Sequence, residues 1–161
     1  MIKLTLLFAT FLASLSLSFA QSKKYIKKHK IKSITETITT FENGKELTRN
    51  DQFSRYDKDG QIIEQIDYDK NGKVKTKTIT KYNNLEDKTE ETIFDGNNKQ
   101  VLREVYKYDA DGEKSEEWHY DDKDELVSKS LYTVKNGLKT ERKVYDTKGK
   151  LIQVKKYMMA P

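Results

Sequence analysis

The stretch YDKDGQIIEQIDYDKNGKV, residues 56–74, decides how this chain folds, because it holds one complete unit and the start of the next. Tyr56-Asp57, completed by Asp59-Gly60, returns 12 residues later as Tyr68-Asp69, completed by Asn71-Gly72. An Asp at the first position of a type I turn accepts hydrogen bonds from backbone N–H groups inside it. A Gly at the fourth supplies the positive φ needed there. Four turn residues leave about eight for a strand, an ordinary length. Connections this short make consecutive strands antiparallel neighbours.

The unit recurs along the rest of the chain. It continues as YNNLEDK at Tyr82, FDGNNKQ at Phe94, YDADGEK at Tyr108, YDDKDEL at Tyr120, YTVKNGL at Tyr132 and YDTKGKL at Tyr145, with Tyr157 closing the last. An outlying copy, FENGKEL, starts at Phe41. Spacings run 12, 14, 12, 14, 12, 12, 13 and 12. The expected fold is therefore all-β: an antiparallel meander of repeated β-hairpins forming a long twisted, partly single-layer sheet or an open barrel. Turn geometry pairs Tyr56 with Ile62, Tyr68 with Val74 and Tyr145 with Leu151, aromatic against aliphatic across each hairpin. Even spacings are expected to keep these residues on one face, and the spacing of 13 after Tyr132 to bring a bulge or a longer turn. The strand middles are polar on both faces, which argues against a thick sandwich core.

Ahead of the repeats lie two further segments. Residues 1–20 read as a signal peptide: Lys3, an apolar run from Leu4 to Leu17, then Ser18-Phe19-Ala20 with small residues at −3 and −1. Cleavage would leave a chain starting at Gln21, periplasmic or extracellular, with no stable membrane insertion. Residues 21–33 form a basic arm carrying Lys23, Lys24, Lys27, Lys28, Lys30 and Lys32, read as a solvated linker. Residues 34–158 are the β-hairpin repeat domain. There is no cysteine, which excludes disulfides and a lipid-modified cysteine at the processing site. From Gln21 onward Leu, Ile, Val and Phe number 27 of 141, so the core must be thin.

The stretch VYKYDADGEK, residues 105–114, resembles the Tyr-x-Tyr-Asp-x-x-Gly core of the YD repeats of Rhs-type secreted proteins. Units taken two at a time are similar to MORN-variant hairpin repeats. Tyr56, Tyr68, Tyr108, Tyr120 and Tyr145 carry the Tyr-Asp dipeptide, whereas Tyr82 precedes Asn83 and Tyr132 precedes Thr133. The resemblance implies hairpin arrays with a binding or scaffolding role and carries over no catalytic residues.

Residue chemistry points the same way. No Gly-x-Ser-x-Gly, phosphate loop or His-Glu-x-x-His occurs, and a cysteine nucleophile is impossible. DYDKNG at 67–72 matches the first half of a calcium loop, but Thr78 stands where the bidentate Glu belongs, so turn chemistry accounts for it. His29 reads as solvated and His119 as a strand residue beside a turn. No catalytic residue, metal ligand or cofactor site is expected. The expected activity is that of a non-catalytic binding or structural module at the cell envelope; the alternative is a secreted polysaccharide hydrolase. Trp118 breaks the repeat pattern and, with Tyr120, Lys114 and Glu116 at matching parity, forms the candidate binding surface. The partner expected there is a cell-surface glycan or an envelope protein, and no nucleic acid.

Overall fold

A computed structural model describes residues 23–158. The signal-peptide reading of residues 1–20 lies outside the described residues. A short helix, α1 (Lys23–His29), leads into β1 (Ser33–Glu42), β2 (Lys45–Tyr56), β3 (Ile62–Tyr68), β4 (Val74–Tyr82) and β5 (Lys88–Asp95). The chain continues through β6 (Gln100–Tyr108), β7 (Lys114–Tyr120), β8 (Leu126–Lys135), β9 (Leu138–Asp146) and β10 (Leu151–Lys156). The ten strands form one antiparallel sheet in sequence order. β1 and β10 are its two edges, so the sheet stays open. Strands pack on their sequence neighbours, as in other quasi-one-dimensional repeats.

Seven connections share one turn. In the first, the Gly60 N–H donates to the Asp57 carbonyl at 3.2 Å and the Asp57 N–H to the Gln61 carbonyl at 3.0 Å. The Asp57 carboxylate accepts from the N–H groups of Asp59 and Gln61 at 2.8 and 2.9 Å. Asp69, Asn83, Asp95, Asp109, Asp121 and Asp146 repeat this arrangement. The fourth turn residue is left-handed in every case, including Glu86, Asn98 and Asp124, where the sequence has no glycine. The other two hairpins turn on Asn43-Gly44 and Asn136-Gly137, both residues at positive φ, the two-residue type I′ geometry. β8 therefore runs past Tyr132 to Lys135. The odd spacing is absorbed as expected, by a bulge where the register shifts between Thr133 and Val134.

Tyr56 faces Ile62, Tyr68 faces Val74 and Tyr145 faces Leu151, as the turn geometry requires. The common face expected from even spacing is not formed. After each of the seven turns one residue lacks a partner: Tyr56 pairs with Ile62 and Arg55 with Glu64, so Ile63 is extra. Such a bulge shifts the side-chain parity by one. Residues closing the turns at one end of the sheet (Tyr56, Tyr82, Tyr108) thus fall on one face. Those at the other end (Tyr68, Phe94, Tyr120, Tyr145) fall on the opposite one.

The buried side chains confirm a thin core. Ile26 and Val144 are the buried apolar residues among those described, whereas Ser54, Gln61, Thr80, Thr92, Glu117 and Ser130 are buried polar ones. Cohesion therefore rests on backbone ladders and cross-strand pairs, each pair contributing roughly 0.2–1 kcal/mol. Tyrosine hydroxyls add ties between strands: Tyr82 donates to the Ile62 carbonyl at 3.0 Å and Tyr108 to the Lys88 carbonyl at 2.7 Å.

The basic arm is not a solvated linker. Residues 23–29 are helical, and Ile26 is 1% exposed, packed onto the β2–β3 turn. Lys27 pairs with Asp59 at 2.9 Å and Lys23 with Glu86 at 2.5 Å, which pins the helix across two neighbouring turns. Two of its lysines, Lys23 and Lys27, meet acidic turn residues, so the charge run has local partners rather than solvent alone.

Candidate functional site

Trp118 sits in the middle of β7, opposite Val105 on β6 and Lys129 on β8. The amines of Lys107 and Lys129 lie over its ring at 4.6 and 5.0 Å. Its indole N–H donates to Glu116 at 2.7 Å, and the same carboxylate oxygen pairs with Lys129 at 3.3 Å and Lys107 at 3.6 Å. Burial pushes the Glu116 carboxyl up, but the Trp118 and Lys129 hydrogen bonds and both lysine charges outweigh it and hold it below the ordinary carboxylate range. Two residues on, the Arg103 guanidinium lies 4.0 Å from the Tyr120 ring centre and donates to Asp124 at 2.6 Å. The Lys77 amine lies 5.0 Å over the Phe94 ring on the same face. Rings on β5 and β7, with the cations over them, thus span five strands, β4 to β8. Each cation is attracted to the negative face of its ring.

Of the four residues chosen by parity, Trp118, Tyr120 and Glu116 share this face and Lys114 does not. Tyr108 pairs with Lys114 but Lys107 with Glu116, so Ser115 is extra and the count by twos fails across it. The Lys114 amine instead reaches the opposite face, where it bonds Glu117 and lies 4.9 Å from both the Tyr106 and Tyr132 rings.

That opposite face holds a network the sequence did not reveal. Glu117, 8% exposed, accepts from Lys114 and from the Tyr132 hydroxyl at 2.8 Å, lies 2.9 Å from His119 Nε2, and has Arg142 at 3.8 Å. His119 Nδ1 lies 3.0 Å from Glu104, whose other oxygen accepts from the Tyr106 hydroxyl. Arg142 also donates to Ser130, which is fully buried. Burial raises the Glu117 carboxyl, yet Lys114, Tyr132 and His119 together hold it below the usual range. Burial, and then the neighbouring carboxylates, push the Tyr106 and Tyr132 hydroxyls well above theirs.

Glu104, Glu117 and His119 offer ligand atoms within 4.8 Å of one another, a spacing a divalent cation could bridge. Lys114 and Arg142 already balance Glu117, while Glu104 is held by His119 and the Tyr106 hydroxyl. The same balance bears on hydrolysis. A glycosidase acid needs a carboxyl held protonated near neutral pH, and Glu117 is shifted the other way. In the DYDKNG loop, Asp69 turns inward to accept from Asn71 and Lys73, so its carboxylate acts as the turn cap expected. Among the described residues no helix is long and apolar enough to cross a membrane.

No family model matches this sequence, and no curated protein matches it. Among solved structures, TarM aligns at 20% identity over 81% of this chain and 22% of its own, with a TM-score of 0.35. A TarM mutant from S. aureus, in complex with Fondaparinux, alpha-GlcNAc-glycerol and UDP, aligns at 19% over 73% and 21%, also at 0.35. The GtfA/B complex bound to UDP and GlcNAc aligns at 12% over 74% and 24%, at 0.25. The chain thus spans under a quarter of the length of each of these three structures.

Proposed function

We propose that this chain is an exported, non-catalytic β-repeat module that binds or scaffolds at the cell envelope, with the Trp118 face as its contact surface. The row of Trp118, Tyr120 and Phe94 under Lys107, Lys129, Arg103 and Lys77 carries this reading. Rings offer contact area at little rotamer entropy, and the surrounding cations and carboxylates supply hydrogen bonds, the combination that glycan and protein surfaces use. Both classes named from the sequence, a cell-surface glycan and an envelope protein, fit that chemistry. The non-catalytic reading is supported by the depressed Glu117 carboxyl and its paired surroundings.

Trp118 is the sole tryptophan, so emission excited selectively from tryptophan reports on this surface alone. Titrating the protein with solubilised envelope glycan, then with envelope protein extract, should shift or quench its emission saturably with one of them. An emission unchanged at saturating amounts of both would remove this surface from the proposal.

A further inference from the structure

We propose that the two free edges of the sheet join copies of this chain end to end, β10 of one copy pairing with β1 of the next. Among the described residues nothing pairs with the outer edge of either strand, so each presents a row of open backbone donors and acceptors. Strand directions alternate along the meander and ten is even, so β10 runs opposite to β1. A second copy set beside the first therefore continues the sheet with the antiparallel geometry of every internal pair.

Side chains select this join over the alternatives. The charged residues of β1 are Glu36 and Glu42, both acidic, and those of β10 are Lys155 and Lys156, both basic; all four are exposed. Pairing β1 with β1, or β10 with β10, gathers like charges in one ladder, whereas β10 with β1 sets opposite charges side by side. For one pair of these charges the faces agree as well. Glu36 pairs with Gln52 and Lys155 with Arg142, and the registers place both on the Glu117 face. Apolar residues accompany the charges: Leu151, Ile152 and Val154 are exposed on β10, and Ile38 and Phe41 on β1. A head-to-tail contact of this kind leaves a free edge at each end of a pair, so it continues into a row rather than stopping at a dimer. The ladder is short, which makes assembly dependent on concentration.

Sedimentation velocity of the purified protein over a concentration series tests this. The weight-average mass should climb past twice that of one chain and fall again at high salt, which screens the charge pairing. Lys155→Glu with Lys156→Glu, or Glu36→Lys with Glu42→Lys, should each hold the protein monomeric with its far-UV spectrum unchanged. Mixing the two variants should restore the climb, because each reversed edge then meets its complement. A monomer at every concentration, a mass that stops at a dimer, association indifferent to both reversals, or a mixture that stays monomeric would each overturn the proposal.

Discussion

A β-carbon placed on Gly60 would lie 2.6 Å from the Lys23 carbonyl oxygen, so the helix docks where only a glycine leaves room. Gly72 occupies the same turn position with nothing within 4 Å of such a carbon. Both are left-handed, at φ 78° and 75°. Alanine should cost about 1–2 kcal/mol at Gly72 through the backbone alone, and more at Gly60, where the helix must also shift. Thermal melts of the two variants check this ordering. Equal losses would show that the helix does not rest on that turn.

Removing the charge of Glu117 takes the anionic partner from the Lys114 amine and leaves the Tyr132 hydroxyl a weaker acceptor. Glu117→Gln should lower stability by about 2 kcal/mol at neutral pH, the range of hydrogen bonds to charged groups. Because the folded carboxyl lies below its ordinary value of 4.5, its contribution is complete above that pH. It fades as pH falls through the folded value. The gap between native and variant melting temperatures should therefore shrink in acid. A gap constant from pH 7 to strong acid would contradict the assignment.

Alkaline titration reads the tyrosines. Tyr82, Tyr106, Tyr108 and Tyr132 are raised above 10.0, burial being the first cause in each. Stability they add is present below pH 10 and lost as pH climbs through their folded values. Phenolate absorbance should rise in two stages in the folded protein and in one stage in denaturant. A single stage near pH 10 under native conditions would mean those hydroxyls are solvated.

Export has a direct readout in mass. Cleavage after Ala20 should leave protein starting at Gln21, free or cyclised to pyroglutamate. A mass retaining residues 1–20 on the exported protein would replace the soluble module with an anchored one.

How far the sequence could be read follows from what each residue does alone. Asp57 and Gly60 announce a turn because their side-chain chemistry and backbone freedom are local properties, and the Tyr56–Ile62 pair follows from that turn. Glu86, Asn98 and Asp124 occupy the same left-handed position without the glycine signal, and only the recurring Asp or Asn before them marks those turns. Ile63 and Ser115, two of the seven unpaired residues, have no signature at all, since a bulge is defined by the strand opposite. That is why Trp118, Tyr120 and Glu116 were legible as one surface and Lys114 was placed on it wrongly. The helix was hidden for another reason: KKYIKKH carries one buried apolar residue, Ile26, too few for a stripe. Glu104 and Glu117 read as solvated charges, and Tyr132 as a repeat aromatic, until three strands bring them together.

The account stands most directly on which face binds. Retention of the protein on isolated envelope material should be compared for Trp118→Ala and Glu117→Gln, which alter opposite faces of one strand. Trp118→Ala should lose roughly thirtyfold in affinity, the scale of an aromatic hot spot of about 2 kcal/mol, with far-UV spectrum and melting temperature nearly unchanged. Glu117→Gln should retain binding while melting lower. Full retention by Trp118→Ala, or loss confined to Glu117→Gln, would contradict the assignment of the contact surface to the Trp118 face.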